Sequence, residues 1–200
     1  MNNPTQHQTI QTEWTPLNKG GANFITHNAK KENNTIVFEK TLMYRFVPYV
    51  FIFSSLLTAW SVYSKKLYTG ENKDFLWLTI LASVFMFVGI VLVLRFRKPI
   101  VFDMNSGYFR RGKLRKKYLM DPFIEDKNCT KLSNIHGLQI ISEHIRSNDS
   151  DSPSYYSYEF NLILNSRKRI HVVDHGNLNT LMNDVKLVSE FINVPIVQTE

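Results

Sequence analysis

The sequence contains two long uncharged stretches, FVPYVFIFSSLLTAWSVYS at residues 46–64 and FLWLTILASVFMFVGIVLVL at residues 75–94. Neither stretch contains Asp, Glu, Lys, Arg or His. A helix rises about 1.5 Å per residue, so each stretch is long enough to cross roughly 30 Å of hydrocarbon. The two stretches predict a transmembrane hairpin at residues 44–95, although the chain as a whole has the composition of an ordinary basic globular protein.

The predicted hairpin divides the chain into a short first segment, residues 1–43, and a last segment, residues 96–200. The last segment is long enough for one small domain, and a free-standing multidomain enzyme is excluded. Residues 1–14 lack the basic and apolar regions of a cleavable signal peptide, so we expect the spans to direct insertion. The single cysteine, Cys129, excludes an intramolecular disulfide framework and suits a reducing compartment.

Positive charge near the ends of the spans predicts the orientation of the chain. Residues 95–117 contain nine Lys or Arg residues and one acidic residue, Asp103, in a chain whose net charge is +7. Cytoplasmic flanks of membrane spans retain such excess positive charge. We therefore expect a multi-pass protein with both termini in the cytoplasm.

Small residues in the spans indicate how the two helices pack. Ser55 and Ala59, and likewise Thr79 and Ser83, lie four positions apart, a spacing that lets helix backbones approach closely. The alternative is that these residues are merely tolerated in apolar helices, and a homo-oligomer is left open. The spans contain no ionisable group of the kind that ion translocation uses, so a transporter is not expected.

Alternating apolar and polar residues beyond Pro99 predict a β-rich domain. Asn105-Ser106-Gly107 predicts a turn between two short strands. The predicted strands are Ile100–Asp103, Tyr108–Gly112, Ile135–Arg146 with a bulge near Gly137, Tyr155–Leu164 and Arg169–Asp174. In Tyr155–Leu164 the residues expected to face the core are Tyr156, Tyr158, Phe160, Leu162 and Leu164, with Ser157, Glu159 and Asn161 on the opposite face.

The last predicted element is an amphipathic helix at about residues 177–193. Its expected inward residues, at three- and four-residue steps, are Leu178, Leu181, Val185, Val188 and Ile192. Asn177 or Asn179 could cap it, and Pro195 prevents its continuation.

Two further strands, Ala22–His27 and Thr35–Lys40 around a turn at Lys30–Asn34, precede the membrane. An isolated hairpin is marginal in water, so we expect this one to join the later sheet. About seven strands and a terminal helix predict an α+β fold: a pleckstrin-homology (PH)-like β-barrel or sheet with the transmembrane hairpin inserted between its second and third strands.

A set of residues spread along the chain resembles a family of uncharacterised bacterial two-span membrane proteins. The residues that carry the resemblance are Trp14, Pro16, Gly20-Gly21-Ala22-Asn23-Phe24, Thr26-His27, Phe102-Asp103, Gly107, Leu138-Gln139, Tyr155 to Leu162, Val173-Asp174-His175-Gly176-Asn177 and Pro195. The resemblance covers most of the chain. It implies a bacterial inner-membrane protein with a PH-like cytosolic part and carries over no catalytic residues. Some proteins of similar appearance look like immunity partners of toxins delivered between bacteria.

Motifs for catalysis, metals and cofactors are not found in the sequence. The six histidines and Cys129 have no zinc-site spacing, and no glycine has the context of a phosphate-binding loop. Cys129 lacks the surroundings of a nucleophile, and turn formation explains Asp174-His175-Gly176-Asn177. We therefore expect no catalytic residue, no metal site, no cofactor and no enzymatic activity.

The charged cluster at residues 110–117, here called the basic tract, is the candidate binding site. Its cations are Arg110, Arg111, Lys113, Arg115, Lys116 and Lys117. The tract could remain solvated and only set topology, could bind anionic lipid headgroups at about 1 kcal/mol per cation, or could bind an acidic partner. It lacks the interleaved aromatic residues of a nucleic-acid-binding surface, so nucleic acid is not expected.

The sequence thus predicts a non-enzymatic inner-membrane protein whose PH-like cytosolic domain binds a protein partner. The most specific version is immunity against a membrane-acting toxin, with the spans contacting the inserted toxin. The alternative is an anionic-lipid-sensing or scaffolding membrane protein.

Overall fold

The computed structural model describes residues 13–69, 75–96, 98–121, 124–146 and 153–198. The helices are α1 (Leu42–Thr69), α2 (Phe75–Phe96), α3 (Lys116–Leu119) and α4 (Leu178–Ile192). The strands are β1 (His27–Glu32), β2 (Thr35–Lys40), β3 (Ile100–Asp103), β4 (Tyr108–Arg111), β5 (Glu125–Asp126), β6 (Cys129–Lys131), β7 (Ile135–Ile145), β8 (Tyr155–Leu164), β9 (Arg169–His175) and β10 (Ile196–Gln198).

The chain forms two compact units, each described below by itself. Residues 1–39 and 100–200 form the first, here called the β unit, and residues 40–99 form the second, here called the helical unit. The predicted α+β class is confirmed, with two long apolar helices beside antiparallel and mixed sheets.

Strand pairing in the β unit joins residues from both sides of the helical unit. Within the described residues the first sheet has the order β1-β2-β3-β4-β6-β5, and the second has the order β10-β7-β8-β9. Strand β2 pairs antiparallel with β3, with Phe38 opposite Ile100. The helices α1 and α2 are therefore inserted between two neighbouring strands.

One hydrophobic core is shared by both sheets and α4. Phe38, Phe102 and Phe109 from the first sheet belong to the same buried cluster as Phe160 from the second. The rings of Phe38 and Phe160 lie 5.9 Å apart between centroids. Burial of each such side chain contributes about 1.5–3 kcal/mol, so this cluster supplies much of the free energy that holds the sheets together.

The number of strands and the closure of the sheet differ from the prediction. About seven strands in a barrel or sheet are predicted, whereas the described residues contain ten strands in two sheets that are not closed. Strands β5 and β6 are too short to show alternation. Strand β10 forms because Pro195 ends the helical region and Ile196 then pairs in parallel with Leu138 of β7.

The first predicted strand is wrong by five residues, since β1 begins at His27 and not at Ala22. Asn33 has a positive φ of 49°, which suits a tight Asn33-Asn34 turn and places the end of β1 at Glu32. The bounds predicted for β2, β3 and β8 agree with the structure, and the predicted bulge in β7 lies between Ile135 and Gly137.

Helix α4 closes the β unit as predicted, with one wrong residue. The side chain of Asn177 accepts a hydrogen bond from the Thr180 N–H at 3.0 Å, and Asn193 ends the helix in the left-handed conformation. Leu181, Val185 and Val188 are buried. Leu178, predicted to face inward, is exposed because it occupies the first position of the helix.

The helical unit is an α1–α2 pair whose apolar side chains largely face outward. Helix α1 begins at Leu42, four residues before the predicted span, where Thr41 accepts hydrogen bonds from the next turn. Residues Leu42–Ser64 and Leu76–Phe96 are long and apolar enough to cross a membrane. Only 17% and 11% of their most apolar windows are buried, unlike the core helices of a soluble protein. The connection at residues 70–74 lies outside the described residues.

Candidate functional site

The basic tract does not form a uniform charged surface, because its two arginines on β4 are used within the β unit. The Arg110 guanidinium donates to the Gly112 carbonyl at 2.7 Å and lies 3.9 Å from the Asp103 carboxylate. The Arg111 Nη2 donates to the carbonyls of His171 and Val172 on β9 at 2.5 and 2.7 Å. Arg111 thus connects β4 of the first sheet to β9 of the second.

Burial disfavours the charged form of Arg111 and lowers its pKa, while the nearby Asp174 carboxylate partly opposes this effect. Because Arg111 holds two carbonyls between the sheets, its role in the structure is internal. We assign it no part in contacts with a partner or a lipid surface.

The remaining cations of the tract lie on an exposed segment, residues 113–120, here called the exposed tip. Lys113, Arg115, Lys116 and Lys117 are all exposed. Leu119 and Met120 follow them with 56% and 83% of their surface exposed. Tyr118, between these groups, is buried and packs with Tyr108 and Cys129, so it anchors the tip to the sheet. The exposed tip therefore combines four cations with two outward apolar side chains.

A second polar region lies on the outer face of the second sheet, opposite the core. Strand register places Gln139 opposite Asn161, and Glu159 opposite both Ile141 and Asp174. Ser157, Glu159 and Asn161 lie on the face opposite the core, as predicted, yet all three are buried, Glu159 to 2% exposure and Asn161 to 0%. Tyr156, predicted to face the core, is 55% exposed because it lies near the start of β8, beside the exposed His144. The burial of the three polar residues has a direct cause in the residues that precede β1.

Residues 13–26, here called the strap, bind along this outer face. The Glu159 carboxylate accepts the backbone N–H groups of Leu17 at 2.9 Å and Asn18 at 2.7 Å. Gln139 and Arg169 both donate to the Glu13 carbonyl. Buried polar groups need such partners, so the strap satisfies the polar residues that alternation assigns to solvent.

The strap approaches the sheet most closely at its glycines. A Cβ on Gly21 would overlap the Ser157 hydroxyl, and a Cβ on Gly176 would overlap the backbone of Asn23 and Phe24. The Gly176 N–H donates to the Phe24 carbonyl at 2.9 Å. Gly21 and Gly176 are thus the points of close contact, whereas a Cβ on Gly20 would meet nothing within 4 Å.

Three chemically active side chains meet beside the strap: Glu159, His171 and Asp174. One ligand atom from each lies within 4.8 Å of the others. His171 and Asp174 share a face because of a register shift between β8 and β9, in which Phe160 pairs with Val173 and Asn161 with His171. Sequence analysis misses this cluster, since residues three apart on a regular strand face opposite sides.

Two other reactive groups in the β unit are buried. Burial lowers the pKa of His175, although hydrogen bonds with the backbone of His27 and Asn177 oppose this shift. Burial raises the pKa of the Cys129 thiol to about 11. A thiol with so high a pKa is a weak nucleophile at neutral pH, as the sequence analysis expects of an inert cysteine.

The four residues predicted to pack the helical unit divide into two roles. The Ser55 hydroxyl donates to the Ala82 carbonyl at 2.7 Å and is buried between α1 and α2. Ala59, Thr79 and Ser83 are exposed along an open groove of about 910 Å³ that all four residues line. Close approach of the helices instead occurs at Gly89, where a Cβ would lie 2.6 Å from Ile52 Cγ1.

Comparisons of the chain with protein-family models, curated proteins and solved structures found no match.

Proposed function

We propose that the protein is a non-enzymatic, membrane-anchored binding protein whose β unit binds anionic lipid headgroups through the exposed tip. The observation that carries this proposal is the combination of four exposed cations with the outward side chains of Leu119 and Met120. Lipid surfaces offer both the negative charge and the apolar layer that such a segment complements.

The helical unit supports the anchor in this proposal. Its outward apolar residues are the kind that lipid tails solvate, and both helices are long enough to cross a membrane. The strands before and after the helices, β2 and β3, are neighbours in one sheet, which supports placing both on the same side of the membrane in this proposal. We place both termini in the cytoplasm of a bacterial cell, at the inner membrane, since residues 95–117 are strongly basic.

The order of elements in the β unit supports a PH-like fold. Strands β1 to β4 follow one another across one sheet, β7 to β9 across the other, and α4 packs on the shared core. Such a unit is a rigid support from which a loop can contact a ligand.

The exposed tip has enough binding energy for a tethered domain. Each cation near an anionic surface contributes about 1 kcal/mol, so four supply about 4 kcal/mol. Insertion of Leu119 and Met120 adds up to about 1.5–3 kcal/mol for each side chain that becomes fully buried. The structure thus reduces the six cations of the basic tract to four and adds two apolar residues that the sequence analysis does not include.

The test uses the full chain in lipid nanodiscs with an environment-sensitive fluorophore on Met120→Cys. Cys129 is buried, so the label attaches selectively to the introduced cysteine. We expect a blue shift in discs of equal parts phosphatidylcholine and phosphatidylglycerol, but not in phosphatidylcholine alone. High salt should reverse it, because 1 M salt shortens the screening length to about 3 Å.

Charge variants separate binding at the exposed tip from attraction by net charge. Replacing Lys113, Arg115, Lys116 and Lys117 by Gln should abolish the blue shift. A matched control replaces four other exposed lysines by Gln: Lys19, Lys30, Lys127 and Lys186. The control should keep most of the shift. Equal loss in both variants, or no lipid-dependent shift in the parent, would reject the proposal.

The groove on the helical unit favours a second candidate, a protein partner within the membrane. Its exposed small residues, Ala59, Thr79 and Ser83, would let the backbone of another helix approach closely. Immunity against a membrane-acting toxin is the specific form of this candidate, with the toxin's inserted helix in the groove.

Photo-crosslinking in cells tests the second candidate. A crosslinking residue at Ala59 or Ser83 should give one heterologous product, whereas the same residue at the exposed control position Leu57 should give none. A product of twice the chain mass would identify a second copy instead of a toxin. Equal crosslinking at all three positions, or none, would exclude a specific partner in the groove.

A further inference from the structure

The structure assigns a divalent metal site to Glu159, His171 and Asp174, with Zn²⁺ as the ion to test. The site is independent of the proposed lipid binding, since it lies beside the strap and contains no residue of the exposed tip. Its donors are one imidazole nitrogen and two carboxylates, all within 4.8 Å of one another. A donor set with nitrogen favours first-row transition metals over Mg²⁺ and Ca²⁺, which prefer oxygen ligands.

The His171–Asp174 geometry suits a shared ion. His171 Nε2 and Asp174 Oδ1 lie 3.2 Å apart, yet within the described residues neither buried atom has a partner with hydrogen-bond geometry. Two ligands at about 2.0–2.1 Å and a tetrahedral angle would place their donor atoms about 3.3 Å apart. Their separation therefore matches ligands of one ion without rearrangement.

Glu159 is positioned to supply the third ligand. Its carboxylate is fixed by the N–H groups of Leu17 and Asn18 and by the Asn161 side-chain amide at 2.5 Å. Similarly, the side-chain amide of Asn18 donates to Asp174 Oδ2 at 2.7 Å and leaves Asp174 Oδ1 available for a metal ion. Such hydrogen bonds orient metal ligands in known sites. The largest distance between two of the three ligand atoms is at most 4.8 Å, so it needs to shorten by no more than about 1.5 Å to reach the spacing of a tetrahedral site.

An independent observation also points to a ligand at this position. The Asn161 side chain is completely buried and lies against Glu159, while register places it opposite His171. Its Oδ1 has no hydrogen-bond partner among the described residues. The Asn161 side chain contacts Glu159 through Nδ2, and a metal-bound water is one donor that would satisfy its adjacent Oδ1.

The charges and hydrogen bonds around the cluster leave room for a cation. The Arg111 guanidinium compensates one of the two carboxylate charges. Its Nη2 hydrogens are directed to two carbonyls at 2.5 and 2.7 Å, so its 3.4 Å contact with His171 Nδ1 is the weakest of the three. Metal binding at Nε2 requires the proton on Nδ1, which then faces a second donor, so this weak contact has to lengthen when the metal binds.

Metal binding is tested on the full chain, purified in detergent and stripped with EDTA. Titration calorimetry should show that one Zn²⁺ ion binds per protein chain. Millimolar Mg²⁺ should not compete with Zn²⁺ for the site. Co²⁺ should give a visible absorption band that Zn²⁺ abolishes. Absence of stoichiometric Zn²⁺ binding would overturn the proposal.

Variants locate the ion. His171→Gln removes the imidazole but no hydrogen bond to the strap, so it should fold and lower Zn²⁺ affinity at least tenfold. The control is His144→Gln, since His144 is exposed and stacks on Tyr156. It should leave the affinity unchanged. Unchanged affinity in His171→Gln, with the cobalt band retained, would show that Zn²⁺ binds elsewhere and overturn the assignment.

Discussion

Replacing Gly176 by Ala tests whether the strap is held by direct backbone contact with the second sheet. An ideal Cβ at this position would lie 2.5 Å from the Asn23 carbonyl oxygen, and closer still to the Asn23 carbonyl carbon and the Phe24 nitrogen. These are backbone atoms, so a rotamer change cannot relieve the overlap. The strap backbone would have to move by about 1 Å to restore van der Waals separation.

The expected cost follows from that displacement. Overpacking of this kind typically costs about 1–3 kcal/mol. The movement also breaks the hydrogen bond from the Gly176 N–H to the Phe24 carbonyl, worth about 1 kcal/mol. We therefore expect Gly176→Ala to destabilise the docked strap by about 2–4 kcal/mol.

Gly107 is a matched control because a side chain there is disfavoured by the backbone conformation and not by contact with neighbouring atoms. It has a positive φ of 74°, but a Cβ there would meet nothing within 4 Å. Gly107→Ala should cost only about 1–2 kcal/mol from backbone strain, and Gly107→Asn less, since Asn tolerates this conformation. Gly176 has no positive φ, so its cost is steric alone.

Hydrogen–deuterium exchange measures the outcome segment by segment. Gly176→Ala should accelerate exchange of backbone amides in residues 14–26 and leave the core amides of β8 protected. Gly107→Ala should leave exchange of the strap unchanged. Unaltered strap protection in Gly176→Ala would refute the inferred backbone contact.

Three further predictions concern single residues. Burial raises the pKa of Asp184 to about 6. The Asp184 carboxyl therefore keeps its proton to a higher pH in the native state than in the unfolded chain, so the free energy of unfolding should fall as pH rises from about 4 to about 6. Asp184→Asn, which can still accept from the Ala29 N–H, should raise the melting temperature at pH 7.5 but not at pH 4; an equal change at both would contradict this reasoning. The Cys129 thiol should react with a thiol reagent only after unfolding, and rapid labelling of the native protein would show that it is accessible. Gly89→Leu should separate α1 from α2 and lower the thermal stability of the helical unit. The control Val84→Leu changes an exposed position and should leave that stability unchanged. Similar melting curves for the two variants would exclude close packing at Gly89.

Local sequence patterns predict the elements that depend on neighbouring residues. The bounds of β3 follow from Pro99 before it and from the Asn105-Ser106-Gly107 turn after it, where the structure shows a positive φ at Gly107. The extent of α4 follows from its apolar period, from Asn177 as the cap at its start and from Pro195 shortly after its end. The two apolar helices follow from length and composition alone.

Elements that depend on distant residues are not predictable in this way. Alternation correctly predicts the buried residues Phe160, Leu162 and Leu164 of β8 but not the exposed Tyr156, and it cannot show that the strap covers the polar face and buries Glu159. Only the end of the strap, residues 22–26, is predicted as part of a strand. The Glu159–His171–Asp174 cluster depends on a shift in strand register, which no spacing in the sequence reveals. Likewise, the charge of Arg111 is evident, but its contact with β9 is not.

The central claim is that the chain crosses the membrane twice and that the strands before and after the crossing form one unit on the cytoplasmic side. Single cysteines at Lys19, Lys186 and Asn72, in separate proteins, test it with a membrane-impermeant maleimide on intact bacterial spheroplasts. We predict that only the cysteine at position 72 is labelled before lysis, and that all three are labelled after it. Labelling of position 19 or of position 186 in intact spheroplasts would contradict the claim. Labelling of only one of these two positions before lysis would place them on opposite sides of the membrane.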